Sequence, residues 1–348
     1  MKKIILCFML SAILLLCGCF GAVDINDTAI VMGVGFDSGE GEYYKSIVQT
    51  VVPKALSDGG GKTYSNFEGE GKSIGESILN ASLKCGKYMN MSHTSALLIN
   101  EKIAEKGVNE ILDYFMRDKE FHSTITVAVS EESAEKILEC ESKIEKVPAS
   151  NIISLGRRFR ENSVGEEINV FDFVSKSLQK NSATMVPIVK SAGDDISVSG
   201  SAVFKDGKMV MKISCAEARG VLWLKNKIEK ADITSEMEGA TFDVRIEKSN
   251  TKLTLSKDEK IHITADIDTD ISIKRDDKGV LNAWGEEKVL ARVSETIKSE
   301  ILESLKKLQE TELDVYGFQE KISRKYPDEK QTFRDLKVYI NVKSKLRD

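Results

Sequence analysis

The stretch Val198–Leu224, VSGSAVFKDGKMVMKISCAEARGVLWL, holds the strongest fold signals in the chain. Two β-rich runs, Val198–Lys205 and Lys208–Ile213, flank the dipeptide Asp206-Gly207. Asp-Gly accepts the positive φ angles of a type I′ turn, so the pattern predicts a two-residue β-hairpin. Ser214 then precedes an apolar run and is a predicted N-cap for a helix. A hairpin of sequence neighbours followed by a helix is typical of an α+β fold.

The sequence after this hairpin predicts a second sheet and one long helix. The helix that begins at Ser214 is predicted to run through Ile228. A single apolar stripe from about Glu286 to Gln309 predicts a helix that packs on a sheet, in preference to a coiled-coil partner. Leu336–Val342 alternates apolar and polar residues and predicts a last strand. Three earlier alternating runs predict an antiparallel meander: Thr241–Lys248, Lys252–Ser256 and Lys260–Lys274.

The sequence at the start of the folded region predicts another hairpin. Thr28–Asp37 and Tyr43–Val52 are rich in β-forming residues and are separated by a Gly-rich turn. Ser57–Gly71 is rich in Gly, Ser and charge, which predicts a mobile loop. Ser73 and Glu76 have the spacing of a capping box, so a helix is predicted from there to about Lys84.

The middle of the chain alternates predicted strands and helices before its pattern weakens. From Glu141 to Asp195 the periodicity is weaker, and we predict a domain boundary near Pro187–Asp195. The predicted elements before that region are a strand at Ser95–Ile99, a helix with Val108, Ile111, Leu112, Phe115 and Met116 on its apolar face, a strand at Thr124–Val129, and a helix capped by Ser130 that carries Ile137 and Leu138.

Length and pattern together predict the domain organisation. Residues 1–18 are a predicted lipoprotein signal peptide, residues 19–194 an N-terminal α+β region of one or two domains, and residues 195–348 a C-terminal α+β domain. The 330 residues that follow position 18 (348 − 18) exceed what one core usually organises, so two or three domains are expected. We predict a multi-domain α+β fold in which each domain is a mainly antiparallel sheet packed with helices.

The N-terminus has the organisation of a lipoprotein export signal. Lys2 and Lys3 precede an apolar run of thirteen residues from Ile4 to Leu16, and Leu16-Cys17-Gly18-Cys19 closes the segment. A membrane-spanning helix needs about 20 apolar residues, so this run is a processing segment. We predict cleavage before Cys19 and lipid attachment to its thiol, which would hold the protein on the outer face of the cytoplasmic membrane. An ordinary secretory signal that happens to contain cysteines is the alternative.

Charge and cysteine content argue against two classes of protein. The net charge of −5 becomes −7 without Lys2 and Lys3 (−5 − 2), and acids and bases are interspersed, so nucleic acid is not a predicted partner. Three of the six cysteines belong to the predicted signal and anchor, which leaves Cys85, Cys140 and Cys215. An odd number without a Cys-x-x-Cys pair predicts small buried residues in preference to disulfides or a zinc site.

Nucleotide, metal and catalytic motifs fail on residue spacing. Gly71-Lys72-Ser73 and Gly61-Lys62-Thr63 end like phosphate-binding loops but lack the earlier glycine that the loop needs. Gly33-x-Gly35 lacks the third glycine of a dinucleotide fingerprint and leads into a strand. The three histidines are too widely spaced to form a metal motif. We therefore predict no catalytic residue, no cofactor and no metal site.

Several short blocks of sequence after Cys19 have the order and composition of one known family. The first block is Ile25–Asp37, INDTAIVMGVGFD. The others are Gly71–Ile74, Ile111–Tyr114 with Arg117-Asp118, Gly200–Phe204, Glu217–Leu224, Asp314–Phe318 and Arg324–Pro327. These blocks resemble the Ger(x)C family of spore germination lipoproteins. The chain departs from the family pattern in lacking Trp-Asp directly after Cys19 and in its short segment between Pro327 and Leu336.

The resemblance implies a function as well as a fold. It implies the C subunit of a nutrient germinant receptor, a lipoprotein with no known enzymatic reaction that folds as three α+β domains. Such a subunit assembles with two integral membrane germinant receptor subunits at the inner spore membrane. Which germinant and which partner subunits are involved does not follow from the resemblance.

Two residue groups are singled out for a structural role. Glu217, Arg219 and Trp223 lie on one predicted helix, and an Arg–Glu pair beside a packed Trp is more often structural than an interface. The segment Asp314–Tyr326 is dense in aromatic residues and is predicted to tuck back on the core.

Two other functions stay open on sequence grounds. A substrate-binding lipoprotein of a transporter would share the anchor but should fold as two lobes with parallel strands joined by helices. A membrane-attached cell-wall hydrolase would need a carboxylate pair, a metal triad or an activated nucleophile in a cleft.

Overall fold

The computed structural model describes residues 27–41, 43–51, 63–142, 144–179, 181–276 and 279–347. The predicted signal peptide and Cys19 lie outside these residues, as does the part of the predicted loop from 57 to 62.

The first sheet begins with three antiparallel strands, β1 (Thr28–Ser38), β2 (Tyr44–Val51) and β3 (Tyr64–Gly71). The predicted hairpin of β1 and β2 is confirmed. The prediction of a loop through Gly71 is wrong, because residues 64–71 form β3. The glycines there serve close packing: a Cβ on Gly69 would lie 2.1 Å from the Ser77 carbonyl oxygen of helix α1 (Ile74–Ser82).

The centre of the first sheet is parallel, which the sequence did not predict. Across the described residues its order is β3-β2-β1-β5-β6-β7-β8-β9, with β4 beside β1, and β1, β5, β6 and β7 are parallel neighbours. The added strands are β4 (Tyr88–Asn90), β5 (Ala96–Asn100), β6 (Thr126–Ser130), β7 (Ala183–Ala192), β8 (Asp195–Lys205) and β9 (Lys208–Ile213). Every residue of β5 and β6 is buried, which is typical of strands covered on both faces.

Helices cover both faces of this sheet. Leu97 and Ile99 of β5 enter one apolar core with α1, α2, α3 and α6, whereas Leu98 enters the opposite core with α4 and α5. The helices after α1 are α2 (Glu101–Lys106), α3 (Asn109–Arg117), α4 (Ala134–Ile137), α5 (Pro148–Glu161) and α6 (Val170–Ser177), and Met91–His93 forms one 3₁₀ turn. The weakly patterned region after Glu141 thus holds two helices.

Two details of these helices differ from the sequence predictions. The N-cap of α4 is Ser133, whose hydroxyl accepts from Lys136 N, and not Ser130, which is the last residue of β6. Met116, predicted on the apolar face of α3, is 37% exposed although the other four predicted residues of that face are buried.

The Asp206-Gly207 hairpin forms as predicted. Lys205 pairs with Lys208, and the φ angles of Asp206 and Gly207 are 53° and 76°, as a type I′ turn requires. The hairpin extends the first sheet, so this sheet continues to Ile213 beyond the predicted division between residues 194 and 195. That division stays a prediction.

The second sheet has the order β10-β11-β12-β13, with strands β10 (Ala231–Met237), β11 (Ala240–Lys257), β12 (Ile261–Asp276) and β13 (Lys337–Leu346). The strand β10 was not predicted, and the two runs predicted within 241–256 form one strand. A register shift between Ile246 and Lys248 lets β11 continue past its polar middle. The last strand, β13, is parallel to β12. The mixture of helices with mostly antiparallel strands confirms the α+β fold class.

Two helices cross closely above the second sheet. Helix α7 (Cys215–Leu224) begins with the Ser214–Glu217 capping box and ends before the predicted Ile228, and the long helix α9 (Glu286–Glu310) follows the short α8 (Val280–Trp284). A last helix, α10 (Phe318–Lys325), precedes β13. A Cβ on Gly220 would lie 2.0 Å from Ser304 Oγ and 2.4 Å from the Glu300 carbonyl oxygen. Helix α7 therefore contacts α9 most closely at Gly220, which has no side chain.

We predict that Gly220→Ala lowers the free energy of unfolding by about 1–3 kcal/mol, because the added methyl group overpacks this crossing. Gly156→Ala in α5 is the matched control, since its Cβ would meet only ordinary contacts, with Thr126 Cγ2 at 3.7 Å and Glu167 Cγ at 3.8 Å. Helix propensity should make the control neutral or more stable by up to about 1 kcal/mol. Urea unfolding midpoints measure both, and a wild-type midpoint for Gly220→Ala would contradict the close crossing.

Candidate functional site

Arg219 and Trp223 of α7 share one carboxylate of α9. Arg219 Nε donates to Glu300 Oε2 at 3.0 Å while Nη2 donates to Oε1, which makes a bidentate ion pair. Trp223 Nε1 donates to Oε2 at 3.3 Å, and its ring is fully buried. These contacts attach α7 to α9, so a structural role accounts for both residues.

Glu217 has different partners from those that the sequence suggested. Its carboxylate accepts from Ser214 N at 2.7 Å and from Lys307 Nζ at 2.6 Å, and so it does not pair with Arg219. The predicted group on one helix therefore divides into two contacts with α9, one through Glu300 and one through Lys307.

The segment Asp314–Tyr326 was predicted to tuck back on the core, and its residues Val315, Tyr316, Phe318 and Ile322 do lie in the apolar core. The Asp314 backbone carbonyl accepts a hydrogen bond from Ala183 N of β7 at 3.0 Å. The Asp314 carboxylate accepts from Tyr316 N at 3.1 Å and from Gln319 N at 2.7 Å. Burial raises the pKa of Asp314, although these N–H groups oppose the shift. The segment thus joins the start of α10 to β7.

Tyr316 is buried in an aromatic cluster and keeps an unused hydroxyl. Its ring stacks on Phe318 with centroids 4.8 Å apart and lies 5.9 Å from that of Phe333. The side chain is 6% exposed, and its hydroxyl has no hydrogen-bond partner among the described residues. Burial raises the pKa of Tyr316, so the group is a neutral donor.

Three lysines surround one buried carboxylate where the two sheets meet. Glu166, 4% exposed, lies between Lys176 of α6 at 3.2 Å, Lys225 at 2.8 Å and Lys227 at 2.9 Å. Burial alone would raise the pKa of Glu166, but the three ammonium groups outweigh burial and hold it well below its usual range. Burial lowers the pKa of Lys225 to about 8, against the opposing effect of Glu166.

A small pocket of about 280 Å³ opens beside this cluster. We name it the lysine pocket. Its cationic lining residues are Lys176, Lys225, Lys227, Lys321 and Arg324, and the other polar residues that line it are Gln179, Ser182, Tyr316 and Glu320. It lies where α6, the residues after α7, and the segment leading into α10 meet.

Sequence reasoning did not find the lysine pocket. Glu166 is one of 55 acidic residues, and its partners come from regions about ten and sixty positions away. The only signal was the aromatic segment that contains Tyr316.

The remaining predicted groups lie apart from this site. Cys140 is buried, as predicted, whereas Cys85 and Cys215 are half-buried, and all three are free thiols. In the described part of the chain, no group of three His, Cys, Asp or Glu residues is placed to hold a metal ion. Within the same ranges, no helix is both long and apolar enough to cross a membrane.

Two protein-family models match nearly all of the chain. The first, described as the spore germination protein N-terminal domain, matches residues 21–191, and the second, described as spore germination B3/GerAC like, C-terminal, matches residues 199–348. The chain belongs to the Ger(x)C family of spore germination proteins. The resemblance drawn from short blocks of sequence is therefore confirmed.

Curated relatives and a solved structure agree with this assignment. Spore germination protein KC of Bacillus subtilis (strain 168) is 27% identical over 379 aligned residues, covering 96% of this chain and 90% of the relative. Spore germination protein A3 of the same strain is 24% identical over 270 aligned residues, covering 76% and 72%. The crystal structure of the GerBC protein has the same fold, with a TM-score of 0.60 and 15% identity over 91% of this chain and 97% of that one.

We predict that Glu166→Gln destabilises this Ger(x)C protein by about 3–5 kcal/mol at pH 7, because three lysines would lose their shared carboxylate. The folded pKa of Glu166 is lower than its unfolded value near 4.5, so its contribution is present above that pH and is lost as pH falls below it. The difference between variant and wild type in urea unfolding should thus narrow in acid.

Glu167→Gln is the control for that experiment. Glu167 pairs with Arg160 at 3.3 Å on the surface, and a pair of this kind contributes at most about 1 kcal/mol. The buried cluster would be contradicted if the two variants lost the same free energy of unfolding. It would also be contradicted if the difference between Glu166→Gln and wild type did not change with pH.

Proposed function

We propose that this chain is the lipid-anchored, non-catalytic C subunit of a spore germinant receptor, which assembles with two integral membrane subunits to trigger germination in response to nutrients. The observation that carries the proposal is the match of both spore germination family models in sequence, over residues 21–191 and 199–348. The relatives that cover most of the chain are themselves named spore germination proteins.

The contacts of the charged residues support a non-catalytic role. The ion pairs Arg219–Glu300 and Glu217–Lys307 join helices, and Asp314 accepts from the backbone of its own segment. An acid–base catalyst needs a group that faces a substrate cleft with a perturbed pKa and a free proton position. Glu300, Glu217 and Asp314 are instead engaged in contacts that hold helices and loops together.

The anchor would place the first sheet close to the membrane. Cys19 and Asp27 are eight positions apart (27 − 19), and a fully extended chain covers at most about 3.6 Å per residue. Asp27, the residue before β1, would then lie within about 29 Å of the lipid attachment point. Partner subunits in the same membrane could reach the described domains at this height.

We predict that Cys19→Ala moves the protein from the membrane fraction to the soluble fraction and lowers the germination response, because the acyl chains supply the attachment. Cys17→Ala is the matched control, since it removes a thiol two positions earlier and leaves a small residue before Gly18-Cys19. Fractionation and immunoblotting measure both variants. An unchanged membrane fraction in Cys19→Ala would exclude this anchor.

We predict that affinity capture of the tagged chain from detergent-solubilised spore membranes brings down two multi-span membrane proteins in a stable ratio. Mass spectrometry of the eluate identifies them, and an untagged strain is the control. Co-elution of a transporter permease with its ATPase would favour a substrate-binding lipoprotein instead. Reproducible absence of specific partners would contradict the receptor-subunit proposal.

A further inference from the structure

The lysine pocket carries an excess of positive charge. Five cationic side chains line it: Lys176, Lys225, Lys227, Lys321 and Arg324. Two carboxylates balance them, Glu166 beneath the lysines and Glu320, which accepts from Arg324 Nη2 at 2.5 Å. The local balance is therefore +3 (5 − 2). Lys321 lies 5.9 Å over the Phe318 ring, a contact that leaves its charge uncompensated.

The pocket also has more hydrogen-bond donors than acceptors. Three ammonium groups offer about nine N–H donors, while the single carboxylate of Glu166 has about four acceptor positions. The side chains of Lys176, Lys225 and Lys227 are 29%, 14% and 53% exposed, so the N–H groups that Glu166 does not accept are open to a ligand.

Fold stability alone does not explain this arrangement. Lys225 is 14% exposed in its side chain and is crowded by Lys176 and Lys227 around one carboxylate. Like charges held close together in a partly buried site destabilise the folded state. A bound anion with several oxygens would reverse that cost and would accept from the unused donors.

We propose that the lysine pocket binds a phosphate group. A phosphate monoester carries a charge of about −1.5 to −2 near neutral pH and three acceptor oxygens, which suits a +3 site better than a single carboxylate does. Lysine is an ordinary phosphate ligand that acts as a point charge. A volume of about 280 Å³ admits the phosphate group and a small attached moiety. The group can come from a free phosphate compound or from a lipid headgroup, and the chemistry of recognition is the same.

Phosphate binding would couple the two parts of the molecule. Lys176 comes from the region matched by the N-terminal family model, and Lys225 and Tyr316 from the region matched by the C-terminal one. A ligand held by both stabilises the state in which they are docked, by an amount that grows with the logarithm of ligand concentration above Kd. This inference is independent of the proposed receptor function.

The test uses the full chain in detergent, titrated with inorganic phosphate at constant ionic strength and followed by calorimetry and by thermal unfolding. Wild-type protein should bind saturably and unfold at a higher temperature as phosphate increases, whereas chloride should have no such effect. Lys227→Met and Lys321→Met should each weaken binding by about fivefold or more, which is about 1 kcal/mol. Both lysines line the pocket and are exposed, so the fold should be retained in each variant.

Lys230→Met is the matched control, because Lys230 is an exposed lysine three positions after Lys227 and outside the pocket lining. It should bind phosphate as wild type does. If the control and the pocket variants all lose the same phosphate affinity, the effect is one of net charge and the site is overturned. Wild-type phosphate affinity in both pocket variants would also overturn it.

Two further arms separate the sources of phosphate. The Cys19→Ala chain, which lacks the anchoring thiol, is mixed with phosphatidylcholine vesicles that contain or lack phosphatidic acid. Binding that needs phosphatidic acid and is lost in Lys227→Met assigns the pocket to a lipid headgroup. Saturable binding of inorganic phosphate without vesicle binding assigns it to a soluble phosphate compound. Failure of both arms overturns the proposal.

Discussion

The contact on which the C-terminal half depends is the Glu300 carboxylate, held by two donors of α7. Arg219 and Trp223 both donate to it, and the side-chain-free surface of Gly220 lets the helices approach closely enough for this to happen. The crossing fixes α9 over the second sheet, where Val293, Ile297 and Ile301 are fully buried. Charge-assisted hydrogen bonds and close packing thus act at the same place, each requiring the other's geometry.

The two sheets are joined by one apolar core and by polar contacts to the backbone of the segment before α10. Ala183 and Met185 of β7 lie in the same buried cluster as Trp223 and the inward-facing residues of the second sheet. Ala183 N donates to the Asp314 carbonyl, and Lys205 Nζ donates to the Glu312 carbonyl at 3.3 Å. The aromatic rings of Tyr316, Phe318 and Phe333 fill the space behind these bonds. Docking therefore combines a continuous apolar core, which buries area, with directional bonds, which fix orientation.

The sequence predicted what neighbouring residues determine and missed what distant residues determine. The Asp206-Gly207 turn and the Ser214 N-cap each depend on a few adjacent positions, and both formed as expected. The parallel pairing of β5 with β6 depends on contacts about thirty positions apart, for which local periodicity gives no signal. Ser57–Gly71 was misassigned in part because glycine marks close packing as well as loops. The lysine pocket was missed for the same nonlocal reason.

The cluster around Glu166 is better explained by a ligand than by folding. A buried ion pair seldom stabilises a protein more than apolar residues of similar volume would, because desolvation offsets the Coulomb attraction. Three lysines around one carboxylate make the balance worse: burial is the main cause that lowers the pKa of Lys225, and the charges of Lys176 and Lys227 lower it further. A bound anion with several oxygens would offset the crowding of the three ammonium groups, because it brings negative charge into the pocket that they line.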